Sequence, residues 1–152
     1  MKAITIHQPW ASLIAHGYKR FETRSWRTHY RGPIAIHAGK RIDHKAALMV
    51  AWNYPEIWRE ISPLPTGCII AVAELVECWE VRLYESDWSF YLHEGVGGGT
   101  KSLPTTEEAF GWYEQGRYAW ELANVRLIPE PIPEKGKQGL WNWEPKEGVT
   151  VE

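Results

Sequence analysis

The most hydrophobic run in the chain, CIIAVAELVEC at residues 68–78, constrains the fold more than any other feature. It follows Gly67, is rich in β-branched residues, and lacks residues that would cap a helix. A run of this length and composition favours a buried strand. We therefore predict a central strand of a sheet here, around which the other elements must be arranged.

The N-terminal segment has the pattern of a short β-α-β unit. Residues 3–7 are β-prone, and Pro9 then stands where the first turn of a helix tolerates proline. Gly17 ends that helix, and a second strand with alternating apolar residues follows Gly32. A further helix is predicted from an Asp43 cap to Pro55.

The second half of the chain contains less regular patterning. Residues 84–115 break into short aromatic and polar pieces around GVGGG at 95–99, which is typical of a mobile or lid-like loop. Alternation returns at 118–122 and 125–128. We expect the proline-rich segment at 129–133 to end regular structure, before the GLWNW tail closes the domain.

Length and charge limit the classes of function. With 152 residues, of which 44% are hydrophobic, the chain is expected to form a single domain over residues 1–152. Nineteen Asp and Glu outnumber 17 Lys and Arg, for a formal net charge of -2. Long-range attraction to a nucleic-acid backbone is weak at this charge, so a small nucleoside ligand suits the composition better. Ten Trp supply rings that can pack a core or stack on bases.

Several functional classes lack their sequence marks. The two cysteines, Cys68 and Cys78, lie in the apolar run and are interpreted as reduced core residues. No signal peptide or membrane span is visible, which predicts a cytoplasmic protein without a membrane partner. The six histidines show no metal-ligand spacing. We expect neither a metal nor another cofactor.

Two regions carry titratable side chains that suit catalysis. Strand alternation places Glu74 on an apolar face of the central run, where a carboxylate is either a tuned acid or base or half of an ion pair. Residues 17–26 bring Lys19, Glu22 and Arg24 together after Gly17. In a regular strand Lys19 and Glu22 would point oppositely, so a shared site requires a turn or bulge nearby.

Aromatic and amide side chains could hold a base. Gln8 and Trp10 lie at a strand-to-helix junction, where an amide can read a base edge and an indole can stack on it. Tyr118 and Trp120 share one strand face and could form a second stacking wall, although such pairs more often serve packing.

Two motifs give these residues a family. QPWA at 8–11 and GxKxxExR at 17–24, together with GCIIAVAELVEC, GRYAW and GLWN, make the chain resemble the ASCH family over nearly its whole length. That family is PUA-like, which implies an α+β fold with a small β-barrel, flanking helices, and a cleft suited to RNA or modified nucleosides.

The resemblance also implies possible activities. One small bacterial branch of the family hydrolyses the amide of N4-acetylcytidine with a Lys, a Thr and a Glu. Lys19 matches the catalytic Lys, but Glu22 stands where that branch has its Thr, with Thr23 beside it. The acid of the branch has no secure match, and Glu74 is its candidate on burial grounds.

The leading hypothesis is therefore a metal-independent amidohydrolase acting on N4-acylated cytidine or a related modified nucleoside. Lys19 would be the general base, Glu22 would activate water, Glu74 would protonate the departing amine, and Arg24 or a backbone N–H would stabilise the oxyanion. Thr23 is the fallback nucleophile. Base contacts would come from Gln8, Trp10, Tyr118 and Trp120. The alternatives are a non-catalytic RNA- or DNA-binding module, in which basic residues 19–31 contact phosphates, and a ribonuclease.

Overall fold

The computed structural model describes residues 1–94, 98–149 and 151. These residues form eight strands and four helices. In chain order the elements are β1 (Lys2–Gln8), α1 (Trp10–Ala15), β2 (Phe21–Arg24), β3 (Gly32–Ile42), α2 (His44–Asn53), α3 (Pro55–Ile61), β4 (Cys68–Leu83), β5 (Phe90–His93), β6 (Thr100–Ser102), α4 (Thr105–Ala109), β7 (Tyr118–Pro133) and β8 (Leu140–Asn142).

The chain divides into two compact units. Unit 1 comprises Met1–Tyr18, Pro33–Ala73 and Asn124–Glu152, and unit 2 comprises Lys19–Gly32 and Glu74–Ala123. The central run predicted at 68–78 is the first part of β4, so the strand prediction is confirmed. Strands β4 and β7 each contribute residues to both units.

Unit 1 is built on the N-terminal strand. β1 pairs in parallel with β3, from Lys2 opposite Ile34 to Ile6 opposite Ala38, and antiparallel with β8. A parallel neighbour requires a crossover connection, and the predicted β-α-β unit supplies it. Apolar side chains from β1, β3, β4, β7, β8 and the residue that follows β8 form one core cluster: Ala3, Ala35, Ile69, Val72, Ile128, Trp141 and Trp143.

The helices of unit 1 begin and end largely where the sequence predicts. Gly17 follows α1 with a φ of 84°, a conformation that glycine adopts without steric cost. Asp43 caps α2, because its side chain accepts a hydrogen bond of 3.0 Å from the backbone N–H of Ala46. Pro55 ends α2 and also occupies the first turn of α3, a helix that the sequence analysis did not predict.

Unit 2 contains two antiparallel arrangements. β2 pairs with β7, so that Glu22 lies opposite Trp120 and Arg24 opposite Tyr118. β5 pairs with both β4 and β6. The core cluster of unit 2 consists of Phe21, Val81, Leu92, Tyr113 and Ala119.

The sequence interpretation of residues 84–115 as an irregular lid is wrong where three short regular elements interrupt the segment. β5, β6 and α4 all lie there, and each is too short to produce a recognisable period. Residues 95–97 of the glycine-rich piece lie outside the described residues. β7 also continues through 129–133, because prolines at every second position place their missing amide hydrogens on one side of the strand.

The α+β class is confirmed. The strand order β2-β7-β4-β3-β1-β8 has an end at β2 and another at β8, so the described strands form an open mixed sheet instead of the closed barrel expected. Both cysteines are free and buried. Among the described residues, no helix combines the length and the apolar character needed to cross a membrane.

Candidate functional site

Lys19 is the most unusual residue of unit 2, because its side chain is only 1% exposed. It lies just before β2, so strand alternation does not determine its direction. Its ammonium donates a hydrogen bond to the carbonyl oxygen of Phe110. A Cβ atom built on Gly111 would lie 3.2 Å from the Lys19 nitrogen. The segment at 110–111 therefore encloses the amine.

The negative charges of two carboxylates act on this amine. Burial lowers the pKa of Lys19 below its usual 10.5, while the negative charges of Glu22 and Glu107 oppose that change. Burial is the larger effect, so the neutral amine becomes available at a lower pH than in a solvated lysine. An amine of this kind can accept a proton from a reacting group.

Glu107 was missed in the sequence analysis. It lies on α4, is 4% exposed, and its carboxylate accepts hydrogen bonds from the backbone N–H groups of Arg20 at 2.8 Å and Phe21 at 3.3 Å. Burial raises the pKa of Glu107, against the lowering effect of these bonds and of Lys19. Pro104 followed by TTEE is a helix-start signal that could have drawn attention to it.

Glu22, Thr23 and Arg24 form the rest of the cluster on β2. Glu22 is 8% exposed, and its carboxylate pairs with the Arg24 guanidinium at 3.1 Å. The Thr23 hydroxyl oxygen accepts a bond of 3.3 Å from the backbone N–H of Trp112. Arg117 donates to the Thr23 carbonyl oxygen at 3.2 Å. Lys19 and these three residues, all predicted from sequence, thus belong to one contiguous part of unit 2.

The proposed stacking wall requires correction. Trp120 is fully buried, contacts Trp26 edge to face with ring centroids 4.7 Å apart, and donates from its indole nitrogen to the Trp26 carbonyl oxygen at 3.4 Å. It is a core residue in this structure. Tyr118 is half-buried, and the Arg27 guanidinium lies 5.0 Å from the centre of its ring.

The burial predicted for Glu74 is also wrong, because Glu74 is exposed while its neighbour Leu75 is buried. β4 is buried on both faces from Cys68 to Ala73. The apolar residues of that stretch therefore do not indicate which face of the strand is buried farther along, at Glu74. The argument that made Glu74 an acid rested on burial. The buried carboxylates of unit 2 near Lys19 are instead Glu22 and Glu107.

Gln8 and Trp10 belong to unit 1. Gln8 is fully buried, and its amide nitrogen donates to the Ser12 hydroxyl and to the Pro65 carbonyl oxygen, each at 2.7 Å. Its amide oxygen accepts the backbone N–H of Ser12 at 3.0 Å. No amide hydrogen is left to read a base edge, so the structure gives Gln8 a bracing role at the start of α1. Trp10 is half-buried at the first position of that helix.

Part of this chain is similar in sequence to known proteins. Activating signal cointegrator 1 of Mus musculus is 31% identical over 90 residues, and that of Homo sapiens is 30% identical over 90 residues. Each match covers 56% of this chain but only 16% of the relative's length.

A solved structure of a ZmASCH point mutant from Zymomonas mobilis has a similar fold. The comparison gives a TM-score of 0.51 and 19% sequence identity, and the aligned region covers 96% of this chain and 91% of the ZmASCH chain. At that identity the likeness concerns the fold alone. The family model described as ASCH domain matches residues 4–132, a span that includes every residue of the cluster around Lys19. The chain therefore belongs to the ASCH domain family.

Proposed function

We propose that the protein is a metal-independent amidohydrolase that removes the acyl group from N4-acylated cytidine or a related modified nucleoside. The observation that carries this proposal is the buried Lys19 amine, whose pKa is lowered by burial and on which the charges of two carboxylates act. A base that is poised closer to neutral pH than an ordinary lysine suits the activation of water.

The reaction follows from these groups. Lys19 accepts a proton from water as the water oxygen attacks the amide carbon, and a tetrahedral oxyanion forms. The C–N bond then breaks, and protonated Lys19 returns the proton to the departing exocyclic nitrogen. The products are the free carboxylic acid and the unacylated nucleoside, so the atoms of one amide and one water are accounted for.

The neighbouring residues have separate tasks in this scheme. Glu22 holds the attacking water, and Arg24, which is paired with Glu22 at 3.1 Å, stabilises the oxyanion. Thr23 is the alternative nucleophile. Glu107 acts as a positioning residue, because its carboxylate binds the backbone on the C-terminal side of Lys19. Tyr118, which lies in unit 2 with Lys19, remains the proposed base contact.

Substrate must reach an amine that is enclosed in this structure. The Phe110 carbonyl accepts the ammonium hydrogen bond, and the Gly111 position closely approaches both Lys19 and the Tyr113 ring. We propose that residues 110–113 move away from Lys19 when substrate enters, which breaks that hydrogen bond. The lid function first assigned to residues 84–115 is thereby confined to a short segment after α4.

Hydrolysis of N4-acetylcytidine to cytidine, followed by liquid chromatography, tests this function. We expect Glu22→Gln to lower the rate by about 100-fold or more, because a neutral amide cannot orient water as a carboxylate does. Glu74→Gln and Glu108→Gln alter exposed carboxylates and should retain a rate close to wild type. A large loss in Glu74→Gln with an active Glu22→Gln would restore the original assignment. No cytidine from the wild-type protein would reject hydrolysis.

Nucleic-acid binding is the second candidate. It is supported by Arg20, which is exposed, and by Arg27 and Arg31, whose side chains are 34% and 38% exposed. Arg27 and Arg31 are, however, paired with Glu80 at 3.6 Å and Glu77 at 2.6 Å. These pairs reduce the positive charge available to phosphates.

Salt dependence distinguishes this candidate from a nucleoside enzyme. If the basic segment binds RNA, the affinity for a fluorescent single-stranded RNA should fall steeply as KCl rises, with a log–log slope of roughly −0.7 times the number of phosphates contacted. Reversing Arg20 to Glu should weaken that binding further. An affinity that does not change with salt would remove the phosphate-binding role.

A ribonuclease would use the same Lys19 and is tested by incubating the Glu22→Gln variant and the wild type with RNA.

A further inference from the structure

Unit 1 contains a cavity of about 930 Å³ that lies outside the cluster around Lys19. Its lining residues come from β1, β3, Gly67 before β4, the end of β7 with the loop after it, and Lys146 after β8, and all of them belong to unit 1. We call it the lysine cavity, after Lys40, Lys135, Lys137 and Lys146, which line it. Its volume lies within the range of small-molecule sites, about 300–1,000 Å³.

The charge of the lysine cavity differs from that of the whole chain. The formal net charge of the protein is -2, yet four lysines line this one concavity. Glu134 is the single carboxylate in its described lining, and one of its oxygens accepts a bond of 3.3 Å from the Trp143 indole. The four lysines are exposed, so their ammonium groups can turn toward a ligand. Lysine binds phosphate as a compact, mobile point charge.

His37 gives the cavity a buried polar wall. It is 2% exposed, and its Nε2 lies 2.8 Å from the Glu134 carbonyl oxygen. A carbonyl accepts, so Nε2 carries the hydrogen and donates. Nδ1 is buried and has no hydrogen-bond partner among the described residues. A buried polar atom in this condition costs stability unless a water or a ligand supplies the missing partner.

Gly136 brings the loop backbone against His37. A Cβ atom at position 136 would lie 2.7 Å from His37 Cε1 and 3.0 Å from Nδ1. Only glycine allows an approach this close without displacing the imidazole. The segment at 133–138 therefore contributes Lys135, Lys137 and a backbone surface without a side chain beside His37 Nδ1.

We propose that the lysine cavity binds a phosphorylated small molecule, with its phosphate oxygens held by lysines and a hydroxyl or amide hydrogen donated to His37 Nδ1. The volume and the buried nitrogen favour a small ligand over a polymer, because a polymer backbone passing across the surface does not reach a fully buried atom. This site is independent of the proposed hydrolase reaction and of its substrate.

Isothermal titration calorimetry with inorganic pyrophosphate and with adenosine 5′-monophosphate tests the proposal. The double variant Lys135→Gln/Lys137→Gln should bind either probe about tenfold or more weakly, because each lysine offers a charge-assisted bond. Lys45→Gln removes the same kind of charge from the exposed face of α2, outside the cavity, and should bind as wild type does. Lys135 and Lys137 are both exposed, so the double variant should retain its fold.

A second measurement addresses His37. The ¹⁵N resonance of Nδ1 should shift when adenosine 5′-monophosphate is added, and Gly136→Ala should abolish both the shift and the binding. Equal weakening in Lys45→Gln and the double variant would overturn the proposal in favour of general charge attraction. Failure of both probes to bind at millimolar concentration would overturn it too. Binding of a single-stranded RNA, but of neither probe, with a dependence on Lys135 and Lys137 would replace the small ligand by a nucleic acid.

Discussion

Replacing Lys19 with methionine is expected to lower the rate of N4-acetylcytidine hydrolysis by about 10²–10⁴-fold, the usual contribution of a general base. Methionine nearly fills the volume of the lysine stem, so the enclosure by Phe110 and Gly111 should persist. Cytidine release measured by chromatography provides the readout. Lys45→Met on an exposed position of α2 is the matched control and should hydrolyse as wild type does.

The pH dependence of wild type and Lys19→Met separates a base from a structural lysine. If Lys19 is the base, kcat/KM of wild type should rise with pH through the lowered pKa and then level off. The stability has the same sign: the folded state holds fewer protons than the unfolded state between the lowered pKa and 10.5. The unfolding free energy of wild type should therefore increase relative to Lys19→Met from pH 7 toward pH 10.

This comparison cancels the titrating groups on which the charge of Lys19 does not act. Burial also raises the pKa values of Tyr113 and Cys78, but both groups are present in the two proteins, so their contributions cancel in the difference. Urea unfolding at several pH values supplies the measurement. Parallel stability curves would show that Lys19 titrates as a solvated lysine, and an unchanged hydrolysis rate in Lys19→Met would remove it from the reaction.

Trp120→Ala is expected to lower the unfolding free energy by about 3–5 kcal/mol, the usual cost of deleting a large buried aromatic side chain. Trp120 is fully buried, packs against Trp26, and stands opposite Glu22 in the sheet. The cavity left behind would loosen the strand that holds Glu22, so activity should fall with stability. Urea unfolding followed by circular dichroism gives the free energy.

A second tryptophan serves as the control for Trp120. Trp52 is 88% exposed on α2, and its replacement by alanine should change the unfolding free energy little. If Trp120 were a substrate platform instead, Trp120→Ala would retain its stability and raise KM alone. That result would support the stacking wall interpreted from the sequence and contradict the core position described above.

Local sequence signals predicted much of the fold. The β-branched run beginning at Cys68 predicted β4, the alternation at 34 and 36 predicted β3, and Asp43 predicted the start of α2. These predictions succeeded because a helix cap or a strand depends on residues that are near one another in sequence. The short elements β5, β6 and α4 have only three to five residues each, and their pairing with distant strands, not their own pattern, determines them.

The candidate site shows the same division. The motif at residues 17–24 placed Lys19, Glu22, Thr23 and Arg24 within eight positions, so chain continuity alone keeps them close. Glu107 lies 88 positions after Lys19, and nothing local connects them. Glu74 and Trp120 were assigned from strand parity, which identifies two faces but does not tell which one meets solvent.

The amino-acid sequence by itself determined the family, the α+β class, the main strands and the lysine-bearing motif, because each of these depends on a contiguous pattern. Tertiary structure alone decided the burial of Lys19, its electrostatic coupling to Glu107, the exposure of Glu74, and the assembly of four lysines in one cavity with His37. Those properties depend on which distant segments exclude water from a side chain. Exclusion of water also lowers the Lys19 pKa, and the described residues offer no hydrogen-bond partner to His37 Nδ1, so the chemistry of both sites depends on packing that no local pattern specifies.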